Sequence, residues 1–208
     1  MPFPSRSSLS LVGAACTVLG AALLAGCAGS ASQQLAEPAP GRGPVAVARF
    51  LDVQGRPAGG ASFTPAGSGV EVMVEVTGIS PGLHGFHVHE KGECADGPDP
   101  QGKTIPFGAA GGHFDPGGAM KHGRPGQPAH TAHAGELPNI EVGPGGSGTL
   151  RYLSPNLSGV TGAPNSVFGR AVVVHEKPDD YTTSPAGNSG GRILCGVIVP
   201  AQARGTAG

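Results

Sequence analysis

Hydrophobic and polar residues alternate in several short segments of this chain, and the clearest alternation lies just ahead of a group of histidines. Valines occupy every second position of residues 70–76, which is typical of a strand with one buried face. A turn at residues 79–82 separates this strand from a second one at residues 83–90. Residues i and i+2 of a strand point the same way, so His87 and His89 project side by side. Two imidazoles on one face of a rigid strand form half of a transition-metal site.

The alternative interpretation of these two histidines is a chance pair on the surface. All eight histidines of the chain lie between His84 and His175, whereas a chain of 208 residues would ordinarily scatter them. This concentration favours a common role, and therefore the metal site.

Short alternating segments broken by glycine and proline recur along the chain, which has 38 Gly and 21 Pro among 208 residues. No window shows a long helical period with caps. We therefore predict an all-β fold, a sandwich or barrel with long loops. The eight predicted strands span residues 45–53, 61–64, 70–76, 83–90, 139–142, 147–153, 171–175 and 193–199.

One loop is unusually long, because the strand pattern stops after Glu90 for almost fifty residues. A structureless stretch of this length in a compact domain is generally functional or disordered. A bound metal would give it a reason to be ordered. The loop and its end carry the candidate side chains Cys94, His113, His122, His130, His133 and Glu136.

The N-terminus is typical of a secretory signal. Residues 9–26 are apolar and small, follow the lone charge of Arg6, and end in Leu24-Ala25-Gly26-Cys27, which resembles the bacterial lipobox. A membrane span is the weaker alternative, since the apolar run is barely long enough. We expect a lipoprotein signal peptide over residues 1–26 and a lipid on Cys27 that anchors the protein to a membrane. The mature protein would then be extracytoplasmic, in the cell envelope or periplasm.

The rest of the chain divides by composition. We expect a flexible tether over residues 27–43, one β domain over residues 44–200, and a disordered tail over residues 201–208. The formal net charge is −1 with no cluster of lysine and arginine, which excludes nucleic acid as a partner.

Two cysteines remain for the folded domain, Cys94 and Cys195, once Cys16 leaves with the signal and Cys27 takes a lipid. An even pair in an oxidising compartment favours a disulfide. Two metal-binding thiolates are the weaker alternative, because neither residue belongs to a Cys-x-x-Cys pair.

Six motifs, taken together and in order between residues 45 and 199, closely resemble the copper/zinc superoxide dismutase family. They are His84-Gly85-Phe86-His87-Val88-His89-Glu90, Gly111-Gly112-His113-Phe114-Asp115-Pro116, Lys121-His122-Gly123, His133-Ala134-Gly135-Glu136-Leu137-Pro138-Asn139, Val174-His175-Glu176-Lys177-Pro178-Asp179-Asp180, and the segment from Gly187 to Ile198. The resemblance implies an eight-stranded Greek-key barrel that binds copper and zinc and disproportionates superoxide to oxygen and hydrogen peroxide.

The resemblance also implies the metal ligands. The implied copper ligands are His87, His89, His113 and His175, and the implied zinc ligands are His113, His122, His133 and Glu136. Glu136 departs from the family, which usually has aspartate there. The longer carboxylate can still bind zinc, but its reach differs, so copper is the firmer of the two expectations.

The remaining residues of interest also have expected roles. Asp179 would link a copper histidine to a zinc histidine, and Arg192 would hold the anion beside copper. His113 would bridge the metals and carry a proton during catalysis. His84 would be structural, and His130 is expected to be a plain loop residue, with a substitute metal ligand as the weaker alternative. The family likeness allows a homodimer as well as a monomer.

Two other functions are compatible with the same scaffold. One is a metal-storage protein without turnover, and the other is an adhesive β domain whose metals only fasten the loop. The presence of all four copper histidines and of Arg192 disfavours the storage protein, and recovery of activity by a chelated, still folded sample on addition of copper would exclude the adhesive domain.

Overall fold

The computed structural model describes residues 43–202. The signal peptide, Cys27, the tether up to residue 42 and the tail from residue 203 lie outside these residues, so the predictions made for them stay predictions. Among the described residues, no helix has the length and apolarity needed to cross a bilayer.

The described chain forms short strands connected by loops. The strands are β1 (Ala46–Asp52), β2 (Pro57–Ala66), β3 (Gly69–Thr77), β4 (Gly82–His89), β5 (Gly97–Pro98), β6 (Thr104–Ile105), β7 (Glu136–Val142), β8 (Ser147–Ser154), β9 (Ala171–His175), β10 (Arg192–Val197) and β11 (Val199–Pro200). A single turn of 3₁₀ helix, Gly108–Ala110, lies in the long loop.

Eight of these strands close into an antiparallel barrel. They follow one another in the order β10, β9, β4, β7, β8, β3, β2 and β1, and β1 pairs again with β10 through Leu51 and Cys195. Strands β3 and β4 are consecutive in sequence but not neighbours in the sheet, as in a Greek key. The all-β barrel prediction is therefore confirmed. Closure leaves no long unpaired edge among these strands.

The core lies inside the barrel and follows the predicted alternation. Val70, Val72, Val74 and Val76 of β3 are buried, whereas the residues between them are more exposed. Phe50 and Phe86 meet edge to face at the centre, with their ring centroids 6.2 Å apart.

Strand β4 is buried on both faces, which explains how it can carry histidines. Phe86 and Val88 point into the core, while His87 and His89 point outward and are covered by loops. Strand β9 lies beside β4 and has the same arrangement, with Val173 opposite His87. The outer faces of two central strands thus form the floor of a covered site.

Two strand boundaries and one loop differ from the predictions. Strand β2 begins at Pro57 rather than at residue 61, and its Gly59 and Gly60 do not form a turn. These glycines instead permit close strand packing, because a Cβ on Gly59 would lie 2.0 Å from the carbonyl oxygen of Glu75. Strand β7 begins at Glu136 rather than at residue 139. The long loop contains the small β5–β6 hairpin, which the sequence did not predict because each strand has only two residues.

Candidate metal centre

Three histidines stand on the outer face of the barrel because strand periodicity places them there. His87 and His89 are two residues apart on β4, and His175 ends the neighbouring strand β9. Their rings are close together, with centroids 4.9 Å apart for His87 and His175 and 5.8 Å apart for His89 and His175. All three are buried.

His113 comes from the long loop and completes this group. It forms an isolated antiparallel bridge with His89, which holds the loop against the end of β4. Its ring stacks on that of His87 with centroids 3.9 Å apart. The loop therefore delivers the fourth imidazole to three that the barrel already positions.

The four histidines fit a metal ion. Each offers a nitrogen within 4.8 Å of the other three. Each also has one buried ring nitrogen without a hydrogen-bond partner in the described part of the chain: His87 Nδ1, His89 Nε2, His113 Nε2 and His175 Nε2. Leaving four buried nitrogens unpaired is costly unless a cation pairs with them. Four imidazoles suit copper among the common metals.

The other ring nitrogens of these histidines are engaged, which fixes how each ring faces. His89 Nδ1 lies 3.0 Å from the carbonyl oxygen of Gly111, and His175 Nδ1 lies 3.3 Å from that of Gly190. Partners of this kind orient the ligand nitrogens of metal sites. The carbonyls come from the two loops that cover the site, so the loops orient the ligands that the strands supply.

A second cluster adjoins the first and shares His113. The Nδ1 atoms of His113, His122 and His133 lie 3.1, 2.9 and 2.8 Å from one oxygen, Glu136 Oε1. Three donors exceed what the two lone pairs of this oxygen accept well. Three nitrogens and one carboxylate gathered at a point are the ligand set of a tetrahedral zinc site.

Glu136 closes this cluster although it is longer than the aspartate usual in the family. It is the first residue of β7 and pairs with His87 across the sheet. From there, Oε1 reaches the nitrogens of all three histidines. The extra methylene therefore does not remove the carboxylate from the cluster.

Three histidines of the first cluster are in the protonation state that binds metals. Burial is the main cause that lowers the pKa of His89 and of His175 well below the ordinary value, with neighbouring histidines adding to it. Burial also lowers the pKa of His113 to about 3, helped by His87. These rings are therefore neutral at physiological pH, the form in which imidazole binds metals.

The second cluster is charged when no metal is bound. Burial opposes the charge on Glu136, but hydrogen bonds from His113, His122 and His133 hold its pKa far below the usual value. Burial likewise opposes a charged His122, but hydrogen bonds to Asp179 and Glu136 raise the pKa of this histidine to about 9. A cation entering the cluster would displace the proton from His122.

Asp179 lies between the two clusters. Its Oδ2 is 2.8 Å from His87 Nε2, and its Oδ1 is 2.8 Å from His122 Nε2. A third group of potential ligands, His87, His122, Glu136 and Asp179, lies within the same 4.8 Å limit, so the two clusters form one continuous centre.

Two residues that the sequence analysis did not assign hold Asp179 in place. The side chain of Asn139 donates to the Asp179 carbonyl at 3.0 Å and accepts its backbone N–H at 2.8 Å. The Tyr181 hydroxyl accepts the backbone N–H of Asn139 at 2.8 Å. The polar Asn139 within an apolar strand was a signal for this role, but no local pattern indicates Tyr181.

Arg192 borders the first cluster, as its motif predicted. Its Nη1 donates to the carbonyl of Phe107 at 2.7 Å and its Nη2 to that of Gly111 at 2.6 Å. Together with His89, His113 and His175 it lines a cavity of about 770 Å³ that opens to solvent. The guanidinium is therefore fixed beside the histidines in the lining of this cavity.

A disulfide fastens the long loop to the barrel. Cys94 in the loop is bonded to Cys195 on β10, three residues after Arg192, with a Cα–Cα distance of 5.7 Å. The thiolate alternative is therefore excluded.

The remaining two histidines lie outside both clusters. His130 is exposed on the loop. His84 is buried, with Nδ1 2.7 Å from the His175 carbonyl and Nε2 2.9 Å from the Ser80 carbonyl. This contact ties β4 to the end of β9.

The fold and the shared histidine define a class: a closed β-barrel protein with a binuclear metal centre. Residues 57–198 match the model of the copper/zinc superoxide dismutase (SODC) family. A superoxide dismutase [Cu-Zn] from Deinococcus radiodurans is 49% identical over 155 residues, which cover 74% of this chain and 84% of that protein. This chain belongs to the copper/zinc superoxide dismutase family. It is an oxidoreductase that acts on superoxide, and its metals are copper and zinc.

Solved structures agree with this assignment. The Cu/Zn superoxide dismutase from Brucella abortus has a TM-score of 0.64 and 32% identity, and the match covers 74% of this chain and 98% of that one. A SOD-like protein from Bacillus subtilis has a TM-score of 0.62 and 30% identity, covering 76% of this chain and all (100%) of that one.

Proposed function

We propose that this protein removes superoxide outside the cytoplasm, with copper on the four-histidine cluster and zinc on the cluster that contains Glu136. The observation that carries the assignment is the set of four buried, unpartnered imidazole nitrogens that shares His113 with a three-nitrogen, one-carboxylate cluster. The proposed copper ligands are His87, His89, His113 and His175, and the proposed zinc ligands are His113, His122, His133 and Glu136.

In this proposal two superoxide anions and two protons give one molecule of oxygen and one of hydrogen peroxide. Copper, when bound, supplies the chemistry by accepting an electron from one superoxide and giving it to another. Arg192 binds the incoming anion with N–H groups that the Phe107 and Gly111 carbonyls do not occupy. Because these carbonyls fix the guanidinium in advance, little side-chain entropy is lost when the anion binds.

His113 carries the proton in this proposal. Its Nδ1 lies at Glu136 in the second cluster, so the ring stays anchored on that side. Its Nε2 faces the first cluster and is the atom that would take up a proton and pass it to the reduced product. Asp179 keeps His87 and His122 in the orientation that this arrangement needs.

We place the protein on a membrane, anchored by a lipid on Cys27. The lipobox-like Leu24-Ala25-Gly26-Cys27 supports this, and a disulfide between Cys94 and Cys195 fits an oxidising compartment. Mass spectrometry of the mature N-terminus, with Cys27→Ser as the comparison, tests it.

A homodimer, which the family allows, is tested by sedimentation velocity of the purified protein.

Elemental analysis combined with a superoxide assay tests the metal assignment. We expect copper and zinc in a ratio near one, and superoxide consumption that is lost on chelation and recovered when copper is restored. Histidine-to-alanine changes at His175 and His133 should remove mainly copper and mainly zinc, respectively. Equal loss of both metals from each variant would contradict the assignment.

A further inference from the structure

The cavity above the first cluster has a polar floor and an apolar wall. The floor is formed by His89, His113, His133, His175 and Arg192. The wall is apolar and comes from two separate loops; its residues are Pro98, Pro100, Ile105, Pro106, Pro185 and Ala186. Superoxide is a small, strongly hydrated anion that gains nothing from such a surface, so the wall is not explained by the reaction.

The wall is built rigidly. Pro98 and Ile105 belong to the β5–β6 hairpin, in which Gly97 pairs with Ile105. Asp99 fixes the turn, since its Oδ1 accepts the backbone N–H groups of Gln101 and Lys103 at 2.9 and 2.8 Å. The apolar surface is therefore present before a ligand arrives, which lowers the entropic cost of binding.

Met120 stands at the mouth of the same cavity. It is 88% exposed, more than any other large hydrophobic residue of the described chain. Asp115 holds its backbone in a left-handed conformation with φ of 50°, because Oδ2 accepts the Met120 N–H at 2.8 Å. A thioether adapts its shape to a ligand and makes favourable contacts with aromatic rings.

The cavity also has a defined place for a negative charge. Arg192 has five N–H donors, of which the carbonyls of Phe107 and Gly111 each occupy one. Asp99 and Asp115 also line the cavity and stay negatively charged, each bound to backbone N–H groups of its own loop, so Arg192 is the one lysine or arginine of the lining that an anion can meet. A ligand would therefore place its anionic end at Arg192 and its apolar part against the wall.

We infer that this cavity is a binding site for small organic carboxylates with an apolar, preferably aromatic, body. A volume of about 770 Å³, mainly apolar walls and one fixed guanidinium are the features of a small-molecule pocket. The carboxylate occupies the position of the incoming superoxide, so such compounds compete with the substrate. The inference rests on the proposed role of Arg192 as the anion anchor.

Calorimetric titration of the metal-loaded protein with three probes tests the inference. Benzoate carries both features, acetate has only the charge, and benzyl alcohol has only the ring. We expect benzoate to bind with one-to-one stoichiometry at least about tenfold more tightly than acetate, and benzyl alcohol to show no binding at the same concentrations. Equal affinity for benzoate and acetate would overturn the inference.

Variants of the wall separate this site from general anion binding. Met120→Ala and Ile105→Ala should each weaken benzoate by about threefold or more and leave acetate unchanged. Met73→Ala is the matched control, since Met73 is 47% exposed on β3 and lies outside the cavity; it should change neither affinity. Unchanged benzoate affinity in both wall variants would also overturn the inference.

The dismutation rate measured without an organic ligand distinguishes this inference from the proposed function. The wall variants should retain it, because Met120 and Ile105 belong to none of the groups of potential metal ligands and take no part in the proposed mechanism. Selective benzoate binding by a metal-loaded protein that does not consume superoxide would refute the proposed function and leave this inference standing. Superoxide consumption without selective benzoate binding would refute this inference and leave the proposed function standing.

Discussion

Asp179 connects His87 and His122 through its two carboxylate oxygens, each 2.8 Å from an Nε2 atom. The same two histidines direct their Nδ1 atoms into different clusters, His87 toward the four-histidine group and His122 toward Glu136. One buried carboxylate therefore sets the ring orientation in both halves of the centre. Asn139 fixes this carboxylate from behind through two hydrogen bonds to the backbone of Asp179.

Asp179→Asn should weaken metal binding at both clusters, and at the zinc cluster most of all. The amide can accept from one histidine, but its NH₂ group faces the other and repels that ring's N–H. Loss of such a partner typically costs about 10- to 100-fold in metal affinity. Competition titration with a chelator measures the effect. Asp96→Asn is the control, since Asp96 is exposed and outside both clusters; similar losses in both variants would refute the assignment.

The metal-free protein should lose part of its stability in acid through Asp179. Burial opposes the charge, but hydrogen bonds from His122 and His87 lower the pKa of this carboxyl to about 2 from 3.8. A lowered pKa contributes stability that is complete above pH 3.8 and is lost as the pH falls to 2. Urea unfolding should therefore show wild type more stable than Asp179→Asn at pH 5, with the difference narrowing toward pH 2. A difference that does not depend on pH would contradict this origin.

The sequence predicted the part of the centre that follows from strand periodicity. His87 and His89 share a face because the side chains of a strand alternate, and the structure places them so. No local rule could place His113, His122 and His133, because their positions depend on how a long loop folds back over the barrel. The family likeness supplied those residues, since the order of motifs carries information about tertiary contacts.

Other features could not be predicted from the sequence, because they too depend on tertiary contacts. Tyr181 reaches Asn139 only through a contact 42 residues apart, and the β5–β6 hairpin is too short for its periodicity to be recognised. The apolar wall combines residues from two loops. It could not be predicted from the sequence because only the fold brings Ile105 and Pro185 to the same cavity. The start of β2 was predicted at residue 61 instead of Pro57 because glycine is common both in turns and where strands pack closely, so Gly59 and Gly60 do not distinguish the two.

Glu136→Gln should remove zinc and largely spare copper. The substitution keeps the shape but replaces the charged oxygen on which three Nδ1 atoms converge with a neutral amide. Zinc is held mainly by charged or strongly donating ligands, so zinc content should fall below about half while copper stays near wild type. Elemental analysis measures both. Glu141→Gln, on the exposed face of the same strand, should leave both metals unchanged. Parallel loss of copper would show that the clusters do not bind independently.

Arg192→Gln should lower the rate of superoxide consumption about tenfold or more, because a fixed positive charge at the substrate position is lost. The wild-type rate should also fall as ionic strength rises, and the variant rate should depend less on salt. Stopped-flow measurements over a series of salt concentrations test both statements. Arg151→Gln removes the same charge from an exposed ion pair with Glu71 and should leave rate and salt dependence nearly unchanged. A wild-type rate independent of salt would refute electrostatic guidance.

Removal of the Cys94–Cys195 disulfide should lower both stability and activity. The bond spans a sequence separation of 101 residues. In the chain-entropy model a loop of that length contributes about 4–5 kcal/mol, which corresponds to a fall in Tm of roughly 10 °C or more for a domain of this size. The same bond holds the loop whose Phe107 and Gly111 carbonyls fix Arg192, so the guanidinium should become more mobile and the rate should fall.

Calorimetry and a superoxide assay on Cys94→Ser/Cys195→Ser measure the two effects, and mild reduction of the wild type should reproduce them. A lower Tm with full activity would show that the loop keeps its position without the bond, and that Arg192 is held by its two carbonyl contacts alone.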